Sequence, residues 1–469
     1  MRTVKNLSII ISKSNSFETS IPLVVVGAGA CGLTAALSAR EKGVEVVVIE
    51  KDTTPHGTTS MSQGTVCAAG TNAQRSVGIE DSPEQFYSDV MKKVNGRTDK
   101  DLVRLVTSQA GLMIDWISDK YNIPFSVDRS WKGLGHSVQR LHAPPQKSGE
   151  DLLGRLLQAS EDAGVTLITG ANVKNLYAND SGKVKGVLIE RPNGKIEKIG
   201  LDSIILATCG FANNEEMIKE FIPEMAGARV FTWENSNGDG IKWGMELGGI
   251  VSDMTSFQGY GALAYPHQLL FNYNYIIDGG FMVNTSGDRF SDEVADVSGQ
   301  GLKVMEQKDK VAYIIYDEEL HKRYYHLNES KKALEVGAVY KANSLSDFSV
   351  KFKLPLSSLE KTLYNVSEFK KGIRQDPWGR NFENSHILKP PYYGIRVTGA
   401  IYHTQGGLEV NTSAQVKDNQ GGVLPNVFAG GGVARGMSGP TCSGYMPAAG
   451  LCMAMTLGRI AGTNAAKII

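Results

Sequence analysis

Three glycines and a glutamate carry the first chemistry legible in the chain. Gly27, Gly29 and Gly32 are spaced Gly-x-Gly-x-x-Gly within VVVGAGACGLTAALSAR, and Glu50 closes the apolar run VEVVVIE that follows. In such a turn the first glycine permits the bend, the second lets backbone approach a pyrophosphate, and the third lets helix and strand pack closely. Ala30 and Cys31 open the helix, whose unpaired amides and partial positive charge suit phosphate oxygens. A carboxylate at the end of the second strand can accept both ribose hydroxyl protons. A second group stands near the other end. In SGPTCSGYMPAAGLCMAMTLGRIAG, residues 438–462, the phenol of Tyr445 precedes a run of Ala, Leu, Met and Gly. Proline is well tolerated in a first helical turn, so a helix is expected to open at Met446-Pro447.

The elements that must position these groups follow from pattern. Residues 21–52 read as strand, Gly-rich turn, amphipathic helix and second strand, the context a bare glycine motif lacks. At 469 residues the chain should hold two or three domains. Hydrophobic residues at 41% and charged residues at 21% are globular composition. Lys+Arg and Asp+Glu are both 49, which favours neither nucleic acid nor an anionic membrane as partner. Five cysteines, at 31, 67, 209, 442 and 452, lack CxxC spacing and read as reduced, buried thiols, with no metal site expected. The apolar run at residues 9–11 is too short for a signal peptide, and nothing approaches the ~20 apolar residues of a membrane helix. A cytoplasmic protein with a loose extension over residues 1–20 is expected.

SPEQFYSDVMKKV and DKDLVRLVTSQAGLMIDWISDKY read as helices, the first opened by Ser then Pro and Glu. HSVQRLHAPPQKSGEDLLGRLLQASEDAGVTLITG reads as loop, helix and strand. Residues 250–388 turn Tyr- and Asn-rich, with lysines concentrated over 303–371, and a domain over 236–388 is expected, inserted in one formed by 21–235 and 389–469.

Several further segments resemble, in order, the flavoprotein subunit family of succinate dehydrogenase and fumarate reductase. They are TTPHGTTSMSQGTVCAAGTNAQ, IILATCGFANN, NSNGDGIKWGMELGG and GVLPNVFAGGGVA, and the likeness spans residues 22–462. It implies an α/β fold: a Rossmann-like FAD-binding domain of the GR2 flavoprotein type, with an inserted, mobile α+β capping domain. It implies FAD held by Lys51, Thr58, Thr59, Ser60, Gly64 and Thr65 after the first unit. Ala207, Thr208 and Gly210, then Asp239, then Gly431 and Gly432, and finally Gly450 and Leu451 complete that set. Members with covalent flavin carry a histidine where Thr58 stands here, and His56 is two residues off, so noncovalent FAD is expected. Gly432 replaces a carboxylate that the family usually offers to the cofactor.

The same likeness suggests the reacting groups. FMVNTSGDRFSDE places Arg289 where the motif has an arginine read as proton donor, an ion pair with Asp292 or Glu293 being the alternative. HTQGGL places His403 where relatives hold a substrate carboxylate, with Gly407 passing close to the flavin. His136, Arg140 and His142 resemble a segment near the cofactor, or they only order a loop. Tyr445 stands where fumarate reductases keep a second, carboxylate-clamping arginine. A dicarboxylate held with one clamp missing leaves unpaired buried charge, at a cost of about 3–5 kcal/mol. GYMPAAG instead resembles a segment of 3-ketosteroid dehydrogenases, in which tyrosine and a helix-start N–H bind a ketone oxygen. The likeness implies that Tyr445, with the amide of Ala449 or Gly450, polarises a ketone while a base takes the α-proton and flavin N5 takes hydride. Tyr260, Tyr313 and Tyr324 are candidate bases, and Tyr260 is also placed against substrate. A small cyclic ketone or keto acid such as 4-oxocyclohexanecarboxylate is the expected substrate. Oxygen, a quinone or a redox protein would accept the electrons. A fumarate- or urocanate-type enoate reductase, or an electron-transfer subunit needing a partner, are the alternatives.

Overall fold

A computed structural model describes residues 8–11, 16–383 and 385–469. The chain forms two compact units: Met1–Ile222, Thr232–Phe257 and His403–Ile469 make the first, and Pro223–Phe231 with Gln258–Tyr402 the second. Residues 236–257 therefore lie in the first unit and 389–402 in the second.

The first unit is built on a nine-stranded sheet. Thr19–Val26 runs parallel to Val46–Ile49 on one side and to Ile196–Leu206 on the other. Leu23, Val24 and Val25 are wholly buried, as expected of a parallel strand covered on both faces. Val423–Ala429 adds in parallel to the C-terminal end of Ile196–Leu206. The loose extension expected over residues 1–20 falls partly outside the described residues. Its described part corrects that expectation, because Ile9–Ile11 pairs in parallel with Asn172–Ala178.

Two helices cross this sheet in close contact. Ala30–Arg40 is buried along nearly its whole length. The apolar C-terminal helix, Ala449–Ala465, lies against it. A Cβ on Gly458 would come 2.4 Å from the Cys31 carbonyl, and one on Gly462 would come 2.0 Å from that of Ala35. Glycine is what lets the backbones approach so closely. Cys452, Met455, Leu457 and Ala461 are fully buried, while Arg459 and Asn464 of the same helix are only partly so.

In the second unit Phe257–Ala264, Tyr392–Thr404, Val311–Asp317 and Phe281–Val283 lie side by side in a seven-stranded sheet. Its core is aromatic: Tyr275 stacks on Phe271 at 4.7 Å between ring centroids and meets Tyr316 at 4.4 Å.

Candidate active site

The Gly-rich turn folds as its residue types require. Gly27 sits at φ +107°, where a Cβ would also meet the Ala207 carbonyl at 2.4 Å. A Cβ on Gly32 would fall 1.9 Å from the Gly27 carbonyl. A Cβ on Gly29 would meet the Thr59 hydroxyl at 3.3 Å. The N-cap residue Gly29 offers no side chain to the helix that begins at Ala30, and a backward bond runs from Leu33 N–H to the Gly29 carbonyl. Thr59 accepts the Ala30 amide at 3.0 Å. The Glu50 carboxylate ties the loop, accepting from the amides of Ala28 and Asp52 at 2.8 and 3.0 Å.

The surrounding segments converge on the same unit. Thr58 lies among the Thr232 and Ser236 hydroxyls and the Cys209 thiol, at 3.0–3.4 Å. Ser60 bonds back to the Gly57 carbonyl, Thr65 is half-buried, and Lys51 is exposed. Gly64 takes φ +67° against the Ser148 carbonyl. Thr208 accepts the Gly240 amide at 3.0 Å, in the first turn of the helix Asp239–Glu246. A Cβ on Gly432 would strike the Gly210 amide at 2.5 Å, and Gly431 takes φ +60°. Gly407 is pressed against the Val433 carbonyl, 2.4 Å from its Cβ position.

At the other end, the C-terminal helix begins at Ala449 rather than at Met446-Pro447. Ala448, at φ 68°, is left-handed and cannot continue a helix backward. Cys442–Gly444 forms a separate short turn before Tyr445. The Ala449 amide closes onto the Met446 carbonyl at 3.1 Å. The Gly450 amide instead faces the Tyr445 phenol oxygen, and burial raises that phenol well above its ordinary pKa. Leu451 follows in the same first turn.

His403 meets this group edge-on, its ring centroid 5.5 Å from that of Tyr445. Its Cε1 and Nε2 lie 3.0 Å from the Cβ position of Gly450. Gln405 reaches the ring's Nδ1 at 2.6 Å, and burial lowers the imidazole pKa to about 4. Gln405 escaped sequence reasoning because its contact spans the end of a strand and gives no pattern. Cys67 and Cys452, in hydrogen-bond contact with each other and both fully buried, also lie beside Tyr445.

Three further candidates are tied into the surrounding loops. Arg140 is fully buried between Asp81 and Asp89, at 2.9 and 2.8 Å. His142 is fixed by Thr71 and by the Arg140 carbonyl. His136 bonds the Pro447 carbonyl at 3.0 Å and so holds the turn ahead of the C-terminal helix.

In the second unit, Arg289 is buried and committed to carboxylates. It pairs bidentately with Glu293 at 2.9 and 2.8 Å, and also with Asp376. The alternative of an ion pair is the one this geometry supports, with Glu293 rather than Asp292. Tyr260 donates to the Phe271 carbonyl at 2.5 Å and Tyr324 to Asp278. Tyr313 packs on Phe352, with ring centroids 5.2 Å apart. The five cysteines are free, and no group of His, Cys, Asp or Glu among the described residues could hold a metal.

The family model described as FAD binding domain matches residues 23–452. The chain belongs to the FAD-binding domain family. It is an FAD-dependent oxidoreductase, and no described helix is long and apolar enough to cross a membrane. The glycine turn at 27–32, the start of the Ala30 helix and the Glu50 carboxylate fit FAD's pyrophosphate and ribose. Among relatives, this FAD-binding protein is 28% identical over 455 residues to the probable fumarate reductase Ifc3 of Shewanella frigidimarina, covering 95% of this chain and 74% of that one. It is similar to a flavocytochrome c3 fumarate reductase solved in its open conformation, with TM-score 0.83, 26% identity and coverage of 97% and 79%. A 3-ketosteroid-Δ4-(5α)-dehydrogenase of Rhodococcus jostii RHA1 shares the fold, at TM-score 0.80, 22% identity and coverage of 97% and 98%.

Proposed function

We propose that this protein introduces, or removes, a C=C bond next to the carbonyl of a small cyclic ketone or keto acid, of which 4-oxocyclohexanecarboxylate is the type. The convergence of the Tyr445 phenol and the Gly450 amide beside His403 carries the proposal. A ketone oxygen entering between them receives an O–H from Tyr445 and an N–H from Gly450. These donors are fixed before the reaction, and they stabilise the negative charge that builds on oxygen as the α-proton leaves. When bound, FAD supplies the two-electron acceptor for the hydride. Oxygen, a quinone or a redox protein then takes the electrons onward.

The same residues disfavour a dicarboxylate. Tyr445 is a neutral phenol, and His403 is uncharged above about pH 4. Neither supplies the cation that a buried carboxylate requires.

The likeness to Shewanella frigidimarina's probable fumarate reductase favours a second reading, reduction of an enoate with Arg289 as proton donor. Arg289, held by two carboxylates with its pKa raised above the ordinary arginine value, is poorly suited to give up a proton.

Anaerobic mixing of the FAD-loaded protein with 4-oxocyclohexanecarboxylate or cyclohexanone tests the choice. Bleaching of the flavin absorption is expected with a cyclic ketone. No bleaching, together with rapid oxidation of reduced viologen by fumarate or urocanate, would overturn the proposal.

A further inference from the structure

Gln405 joins His403 to Ser438 in a short relay. The Ser438 hydroxyl donates to the Gln405 Oε1 at 3.0 Å, and the Gln405 Nε2 lies 2.6 Å from the His403 Nδ1. With its oxygen turned to the serine, the amide presents only N–H to the ring. An amide N–H cannot accept, so Nδ1 must be the acceptor and the ring proton resides on Nε2. The Thr404 carbonyl, at 3.5 Å from Nδ1, is too distant to hold a proton there. The Nε2 edge is the one that faces Gly450 and, beyond it, Tyr445. Ser438 and Gln405 are both buried, so water does not compete for the relay.

We propose that Gln405 is a positioning residue that fixes His403 as an uncharged Nε2–H donor, so that this end of the site selects a ketone oxygen over a carboxylate. The selectivity rests on the function proposed above; the tautomer does not. A histidine that clamps a carboxylate needs a partner that stabilises the cation, normally an acid on the far nitrogen. Here that partner is a neutral amide. The titratable groups facing His403 from its own unit are the Tyr445 phenol and, behind it, the Cys67 and Cys452 thiols. Burial raises both the Tyr445 phenol and the Cys67 thiol, so neither is anionic at neutral pH. Gln405→Glu would accept a proton from Nδ1 and stabilise imidazolium, whereas Gln405→Met would release the ring.

The test is nitrogen NMR of the FAD-loaded protein, with the His403 signal among the eight histidines assigned by its loss in His403→Asn. From about pH 6 to pH 8 the wild type is expected to show protonated Nε2 and bare Nδ1, without titrating. Gln405→Glu is expected to bring a titration into that range. It should also tighten cyclohexanecarboxylate against cyclohexanone by about tenfold, read from perturbation of the flavin spectrum. A wild-type His403 protonated on Nδ1, or cationic at neutral pH, overturns the proposal whatever the variants do. An unchanged titration in a folded Gln405→Glu protein does so too. A correct tautomer with no response to any ketone refutes the proposed function and leaves the Gln405 assignment standing.

Discussion

The Gly450 amide faces the Tyr445 phenol oxygen across the turn that opens the C-terminal helix. One backbone donor and one side-chain donor are thereby fixed on the same small volume. A phenol with its pKa raised by burial keeps its proton through the neutral range, so it remains a donor under working conditions.

Tyr445→Phe removes one of the two donors and leaves the packing of the ring intact. Turnover of a cyclic ketone is expected to fall by about 10²–10³, the usual loss of one donor to a developing oxyanion. FAD content should be unchanged, because the hydroxyl is assigned no role in holding the cofactor. Stopped-flow flavin reduction checks the prediction; a loss of less than about threefold would return Tyr445 to a packing role.

Arg289 separates a structural ion pair from an acid. Glu293 is buried, which alone would raise its pKa, yet Arg289 and Arg380 outweigh that and hold it at about 2. Arg289→Ala leaves Glu293 and Asp376 short of a buried partner, and unfolding free energy is expected to drop by about 3–5 kcal/mol. Urea denaturation reads the cost. Full stability with activity abolished would instead make Arg289 the proton donor.

The buried histidines make stability depend on pH in a defined direction. Burial lowers His136, His142 and His403 to about 4. Their folded pKa lies below the unfolded value near 6.5, so as pH falls the unfolded chain takes protons first. The histidine contribution is flat above about pH 6.5 and falls by about 1.4 kcal/mol per pH unit for each histidine down toward pH 4. Glu293, depressed instead, adds its own loss only below its unfolded value of about 4.3. Urea midpoints measured across this range check the slope, and His142→Gln should reduce it even if it lowers the plateau.

Local rules made the nucleotide end of the molecule legible. Gly27, Gly29, Gly32 and Glu50 act within one strand–helix–strand unit, where spacing fixes geometry, and the structure places them as the motif requires. The C-terminal helix was legible as an apolar element, but its start was not. Pro447 permits a first turn there, while the left-handed backbone at Ala448, in a turn that the His136 bond to Pro447 secures, delays it. The relay through Gln405 and Ser438, and the thiols behind Tyr445, arise from segments far apart in sequence. No periodicity reports such contacts. Arg289 shows the opposite failure: its motif is local, but Asp376, which helps to decide what it does, is 87 residues away.

Gly450→Ala sets stability against function within a single methyl group. Gly450 lies inside the helix Ala449–Ala465 with ordinary helical backbone, so alanine there gains about 0.8–1 kcal/mol of helix propensity. The added Cβ would sit 3.0 Å from the His403 Cε1 and Nε2, closer than normal packing allows, while its 3.8 Å distance to the Tyr445 hydroxyl is comfortable. One of the two rings must therefore yield, and it is His403. Gln405 already holds the far side of that ring at 2.6 Å, so it can retreat only by breaking this bond or leaving its place beside Tyr445. The backbone N–H survives the substitution, so a loss cannot be ascribed to a missing donor. Thermal unfolding of Gly450→Ala is expected to match or slightly exceed that of wild type, while ketone turnover falls by about tenfold or more, the effect of a misplaced group near the reacting atoms. Wild-type turnover in a protein of unchanged stability would show that the ring edge facing Gly450 takes no part in the reaction.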